Sequence, residues 1–192
     1  MTATHTSTPA NTMAIELPQR LQTARLALRA PRPEDAAPIF AAYTQDPAVA
    51  RHMAWRPHGA LGETEAFIAW CMQAWADGRS RPYVLTPRED EDLPIGMLEA
   101  RLQGTTVDLG YVLGRAWWGA GRMAEAVEAL TGAALARPAC FRVQATCDTA
   151  NHASARVLEK CGFVREGRLE RHAVLPNLGL EPRASLMYAR CR

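Results

Sequence analysis

The chain has 192 residues, of which 48% are hydrophobic, 22% charged and 7% aromatic, with 22 basic and 20 acidic side chains and a formal net charge of +2. That length suits a single hydrophobic core of ~150–200 residues, and a charge this close to balance lacks the basic excess that non-specific nucleic-acid binding requires. No stretch of ~18 apolar residues offers a membrane span, and the opening MTATHTSTPANTMAIELP has neither a cationic segment nor an apolar one to direct secretion.

The Thr, Ser and Pro content of that opening predicts a disordered tail over residues 1–20, before a single domain over 21–192, with Met13 as an alternative start. Cys71, Cys140, Cys147, Cys161 and Cys191 are odd in number and widely spaced, with no C-x-x-C among them. They predict neither a disulfide framework nor a metal site, and a reducing cytoplasm fits.

Arg25 to Arg29 alternates apolar and basic residues, the period of a strand with one buried face. Acidic first-turn residues Glu34 and Asp35 then precede Ala36, Ile39, Phe40 and Tyr43 at helical spacing, and Asp46-Pro47 ends that helix. Residues 47–62 read as one helical turn and a loop. A second helix over 63–76 places Phe67, Trp70, Cys71, Ala74 and Trp75 on one stripe, with Gly78 as its C-cap.

From residue 81 the period returns to two, and RPYVLTPR, IGMLEARL and TTVDLGYVLG predict an antiparallel meander with Glu89 to Asp92 at a solvated tip. Gly119-Ala120-Gly121 opens an amphipathic helix carrying Met123, Ala126, Val127, Leu130 and Ala134. A strand over 141–146, a helix over 151–161 and extended stretches near 163–174 and 182–191 follow. The order β-α-α-β-β-β-α-β-α-β-β defines an α/β layer arrangement, its sheet mostly antiparallel in the first half.

Two segments carry chemistry. Before the helix that starts near Arg122, the two glycines allow close backbone approach and the free N–H groups of the helix terminus favour an anion, although a plain turn and cap satisfies the same residues. GAGRMA also matches the dinucleotide fingerprint, with Asp148 as the acidic residue further on, but a meander precedes it and too little chain follows for a doubly wound sheet. No Gly-Lys-Ser/Thr is present, so it is not a P-loop. The second segment is the helix after Asn151, an N-cap residue, with Ser154 one turn inside it.

Read together, Thr23-x-Arg25-Leu26-x-Leu28-Arg29, Gly110-Tyr111, Trp118-Gly119-x-Gly121-x-x-Ala124-Glu125-Ala126 and Asn151-x-x-Ser154-x-x-Val157-Leu158-x-Lys160-x-Gly162-Phe163 resemble the GNAT N-acetyltransferase superfamily, most closely its ribosomal-protein N-terminal acetyltransferase branch. The resemblance runs from about residue 22 to 190. It implies the GNAT fold: a mixed, mostly antiparallel central sheet with helices on both faces. It further implies acetyl-CoA as co-substrate, no metal, and an acceptor that is a protein N-terminus or a small-molecule amine, in a monomer or homodimer.

On the same resemblance, Gly119, Ala120, Gly121, Arg122, Met123 and Ala124 hold the pyrophosphate, with Trp118 counted among the cofactor-binding residues, while Tyr111, Val112 and Leu113 offer backbone to the pantetheine. Asn151 contacts the cofactor near its sulfur and Ser154 protonates the departing thiolate. Two departures stand out. Ala116 occupies a position that usually carries Gln or Arg, leaving Arg115 and Arg122 as substitutes, and Arg183-Ala184 replaces an Arg-Asp pair.

Amine attack on a thioester needs a proton acceptor for the amine and a donor for the sulfur. Asp108 and Glu99, on adjacent predicted strands, are candidate bases, followed by His172 and Tyr111. Each has an ordinary reading as a strand residue. The acceptor region implied by the resemblance holds His52, Trp55, Arg56 and His58, which a loop tip explains equally; Trp117-Trp118, Cys147 and Cys161 fit packing roles. The leading expectation is an acetyl-CoA-dependent N-acetyltransferase. A non-catalytic acyl-CoA-binding module and a nucleotide-dependent oxidoreductase are the alternatives.

Overall fold

The computed structural model describes residues 14–192. Its eight strands are β1 (Arg20–Gln22), β2 (Leu26–Arg29), β3 (Ser80–Pro87), β4 (Gly96–Gln103), β5 (Thr106–Leu113), β6 (Arg142–Asp148), β7 (Val164–Val174) and β8 (Pro182–Cys191). They form one sheet in the order β1-β2-β3-β4-β5-β6-β8-β7. Every neighbouring pair is antiparallel except β5 and β6, which run parallel because helix α4 (Arg122–Leu135) crosses over between them. The meander expected over β3 to β5 is present, and so is the mixed sheet.

Period-two alternation feeds two cores. Tyr83 and Leu85 of β3 and Leu98 and Ala100 of β4 face Met123, Val127 and Leu130 of α4 and Leu158 of α5 (His152–Lys160). Val84 and Met97, one residue out of phase, face the other way. They meet Ala36 and Ile39 of α1 (Ala36–Ile39), Tyr43 of the π-turn Phe40–Thr44, and Ile68 and Cys71 of α3 (Leu61–Ala76). Helices therefore cover both faces. The thiol of Cys161 donates to the Ala124 carbonyl at 3.2 Å and docks α5 on α4.

Four sequence expectations need revision. All of β2 is buried, because Arg29 is enclosed with Asp35 at 2.6 and 2.8 Å and also donates to the Glu91 carbonyl. The acidic tip is exposed at Glu89, Asp90 and Asp92 as expected, and departs from that only at Glu91, which pairs with Arg20. On α3 the buried stripe is Thr64, Ile68, Cys71 and Ala74, while Trp70 stays 50% exposed and stacks on Phe67. Finally, Ile15 and Leu17 are buried in the core, so the alternating Ile-Glu-Leu segment packs with the domain ahead of residue 20; Met13 lies outside the described residues.

Candidate active site

The parallel pairing of β5 with β6 stops at Leu109 and Ala145, although β5 continues to Leu113 and β6 to Asp148. On its other edge β5 stays paired with β4 along its whole length. The two strands thus part, and backbone groups of the Gly110–Leu113 segment on the β6 side have no strand partner. A cleft of ≈ 740 Å³ opens there, walled by Tyr111, Val112 and Leu113 on one side and by Asn151 and Ser154 on the other.

One end of the cleft is the glycine loop. Gly119 and Gly121 have φ of +77° and +74°, left-handed conformations that a side chain would strain. Gly121 is the N-cap of α4 and no side chain caps that end, so the first N–H groups are free for an anion. Arg25 fixes the loop: its guanidinium donates to the Ala120 carbonyl at 2.9 Å and pairs with Glu125 at 2.6 Å. Glu125 also accepts from the Thr23 hydroxyl and the Arg25 N–H. Burial would raise the Glu125 pKa, but these donors outweigh it and the net shift is downward.

Trp118, Gly119, Gly121, Arg122, Met123 and Ala124 line the cleft, whereas Ala120 contributes the carbonyl that holds Arg25. Arg122 lies over the Trp117 ring at 4.8 Å. Arg115, the other suggested substitute for the missing cation at Ala116, instead pairs with Asp46 at 2.9 Å. Arg156 and Lys160 of α5 add positive charge to the wall.

At the opposite end, Asn151 caps α5 by accepting from the Ser154 N–H at 3.1 Å, which sets Ser154 one turn inside and facing the strand opening. The Tyr111 and Ser154 hydroxyls lie 2.7 Å apart. Burial raises the Tyr111 pKa, with the Ser154 bond working against it, so the phenol keeps its proton and cannot act as a base. Cys147 and Cys161 are buried core residues with thiol pKa values raised by burial.

The third wall comes from α2 (Pro47–Ala50) and the turn after it, through Ala48, Val49, Arg51, His52 and Met53. Asp46 caps α2 through the Ala48 N–H. Asn177, between β7 and β8, clamps the turn by donating to the Ala50 and Trp55 carbonyls, both at 2.7 Å. Trp55, Arg56 and His58 do not line the cleft. Trp55 and His58 pack on each other at 5.5 Å, and His58 bonds the Thr64 hydroxyl at 2.7 Å.

Asp108 and Glu99 are likewise off the cleft wall. Both are held by Arg101, whose Nε and Nη1 donate to them at 2.9 Å. Gly110 makes room for that guanidinium, since a Cβ there would meet Arg101 at 2.8 Å. His172 is exposed on β7 and pairs with Ser185 at 3.2 Å. Sequence reading placed His52 only in the acceptor region and gave Asp148 no role in the site. The signal that joins them, Asp148 closing β6 three residues before the Asn151 cap, depends on tertiary contact.

The strand opening, the glycine loop at a free helix terminus and the paired hydroxyls match the needs of a coenzyme A thioester. Residues 25–164 match the acetyltransferase (GNAT) domain family, and the chain belongs to it. It is an acetyl-CoA-dependent N-acetyltransferase by family. An uncharacterised N-acetyltransferase, p20 of Bacillus licheniformis, is 26% identical over 153 residues, 79% of this chain and 85% of the relative. Among solved structures, the microcin C7 self-immunity acetyltransferase MccE with acetyl-CoA and AMP superposes with a TM-score of 0.80 at 18% identity, covering 88% of this chain and 94% of the other. The ribosomal L7/L12 acetyltransferase RimL with coenzyme A gives 0.77 at 20%, covering 93% and 98%. The S5-alanine acetyltransferase of Vibrio fischeri gives 0.75 at 18%, covering 90% and 96%. At these identities the structures establish the fold.

Among the described residues no His/Cys/Asp/Glu cluster is built to hold a metal, and no helix is long and apolar enough to cross a membrane.

Proposed function

We propose that this chain acetylates the N-terminal amine of a protein or peptide, with Ser154 and Tyr111 serving the leaving thiolate. The observation that carries the reading is the acceptor-side wall of the cleft, Ala48, Val49, Arg51, His52 and Met53, which holds a cation and not one carboxylate. A polyamine or aminocyclitol, with several ammonium groups, needs acidic partners for those it does not donate, and here it meets like charge instead. A peptide N-terminus brings a single amine followed by neutral amides. Two of the structural relatives are ribosomal-protein N-terminal acetyltransferases, which supports the same acceptor class.

Acetyl-CoA supplies the activated acetyl group. The α4 terminus would hold its pyrophosphate, and the parted ends of β5 and β6 would receive its thioester. The amine nitrogen attacks the carbonyl carbon, the C–N bond forms, the C–S bond breaks, and the thiolate is protonated through the Ser154 hydroxyl, which the Tyr111 phenol orients across 2.7 Å and which regains its proton from the one the amine releases to solvent. Holding both substrates in one cleft supplies the orientation term.

The test is isothermal titration with acetyl-CoA followed by thiol release with Ser- and Ala-initiated peptides, the same peptides Nα-blocked, and a set of polyamines and aminoglycosides. The expected result is release with free peptides alone. Release with polycationic amines and not with peptides overturns the acceptor assignment. Gly121→Val, which forces a β-branched residue to φ near +74°, should abolish acetyl-CoA binding; full affinity in a folded variant removes this loop from the site.

A further inference from the structure

The wall of the cleft lacks a carboxylate, yet amine attack needs a proton acceptor. Two histidines line the cleft, His152, exposed at the start of α5, and His52, on the turn after α2, and of the two it is His52 that belongs to the acceptor-side wall. Its ring is largely enclosed, with 18% of the side chain exposed, and its Nδ1 lies 3.5 Å from Asp148 Oδ1. That distance is an ion-pair contact and longer than a hydrogen bond, and Nδ1 has no hydrogen-bond partner among the described residues. Catalytic contacts of this kind are often long before substrate binds.

Asp148 is built to face it. Its side chain is wholly buried at the end of β6, where Arg183 of β8 donates through Nε at 2.7 Å and Nη2 at 3.3 Å, and the Ala150 N–H donates at 3.0 Å. A buried carboxylate needs such partners. The sequence departure at Arg183-Ala184 thus has a tertiary answer: the carboxylate for Arg183 comes from β6.

We infer that His52 takes the proton from the acceptor amine through Nε2, with Asp148 and Arg183 as the residues that position its ring. The inference rests on the N-acetyltransferase reading. With Nδ1 turned to Asp148, Nε2 is the nitrogen left for the cleft. As the C–N bond forms, the amine proton passes to Nε2, and the C–S electrons leave with the sulfur toward the Ser154–Tyr111 pair at the other side. The groups acting on His52 are Asp148, Arg51 and Arg183; burial, with the two arginines, lowers its pKa from 6.5 against the pull of Asp148, so the ring is neutral at pH 7. Asp148 stays ionised: burial would raise its pKa, but Arg183 and the Ala150 N–H prevail.

Two readouts on the full-length protein test this. In spectra of 15N-labelled histidine rings with acetyl-CoA bound, His52 should be neutral at pH 7 with its proton on Nδ1, and should titrate below 6.5. Asp148→Asn should lose that tautomer preference and titrate lower still. A ring protonated on Nε2, or charged at pH 7, overturns the inference whether or not an acceptor is known. In turnover with Ser- and Ala-initiated peptides, His52→Gln should lower kcat by roughly 10²–10⁴ with the acetyl-CoA Kd unchanged, and should remove the acid limb of the pH profile. Asp148→Asn should move that limb to lower pH. A full rate or an intact acid limb in His52→Gln overturns the inference. If the wild-type protein binds acetyl-CoA and acetylates no peptide, the acceptor reading fails by itself, and the tautomer measurement still decides the role of His52.

Discussion

Two arginine–carboxylate clusters sit on neighbouring stretches of the same sheet and are built oppositely. In the first, Arg101 of β4 lies between Glu99 and Asp108 and is bound to both, so each charge is answered inside the cluster and no group is left over for the cleft. In the second, Arg183 saturates one side of Asp148, and the carboxylate keeps a face toward His52, which opens on the cleft. The first cluster ties β4 to β5. The second has an outlet, and a buried charge with an outlet toward a titratable ring is how a fold stores function rather than stability. The difference arises from position: β4 and β5 stay paired to their ends, whereas β6 reaches Asp148 beyond the point where β5 has left it.

The largest effect outside the His52 test belongs to the leaving-group side, which neither cluster touches. Ser154→Ala should lower kcat on the order of 10² while the acetyl-CoA Kd holds, since binding uses the loop and strand backbone and the hydroxyl serves only the departing sulfur. Unchanged kcat would make Ser154 a helix residue and nothing more. Because the serine is absent from the groups that act on His52, its loss should leave the acid limb of the pH profile where it was, and that separates the two proton transfers.

Arg183→Met and Arg101→Met form the direct contrast. Arg183 lowers the His52 pKa, so removing it should shift the acid limb of kcat/KM to higher pH and lower the rate just below neutrality, where part of the ring becomes charged. Arg101→Met should lower Tm without moving the limb. Equal shifts in both variants would erase the distinction between the clusters.

Smaller again is the effect at Glu125. Its folded pKa is depressed below the ordinary 4.5, so its contribution is fully present above that value and is lost as pH falls through the folded pKa. Thermal melts from neutral pH down to about pH 3 should therefore show Glu125→Gln converging on wild type at the acid end. A constant gap at all pH values would mean that the Arg25 contact carries no charge-dependent share.

Much of this molecule is legible in its sequence. The meander, the α4 crossover and the glycine loop follow from period and turn chemistry, and the Asn151 cap with Ser154 inside it follows from local rules alone. What local rules miss is contact between distant segments. Arg29 reads as the exposed half of an alternating strand until Asp35 and Glu91 close over it. Trp70 reads as core because size and spacing agree, but the register of α3 turns Ile68 inward instead. The base candidates show the same limit: Asp108 and Glu99 stand out because strand carboxylates are conspicuous, while His52 and Asp148 lie far apart in the chain and meet through Arg183, the Asn177 clamp and the end of β6.

The smallest expected effect decides between those two sets of candidates. Asp108→Asn and Glu99→Gln each leave Arg101 one carboxylate partner, so the protein should fold with a modest loss of Tm. Turnover on the peptide set should stay within about twofold of wild type at every pH, because neither carboxylate reaches the cleft. If either variant instead lowers kcat by about 10² and removes the acid limb, proton transfer runs through β4 or β5, the cluster described as closed must open when acceptor binds, and His52 returns to being part of the wall. A loss confined to Tm, with the acid limb intact, assigns the Arg101 cluster to holding the strands that frame the cleft and leaves amine deprotonation to the acceptor wall.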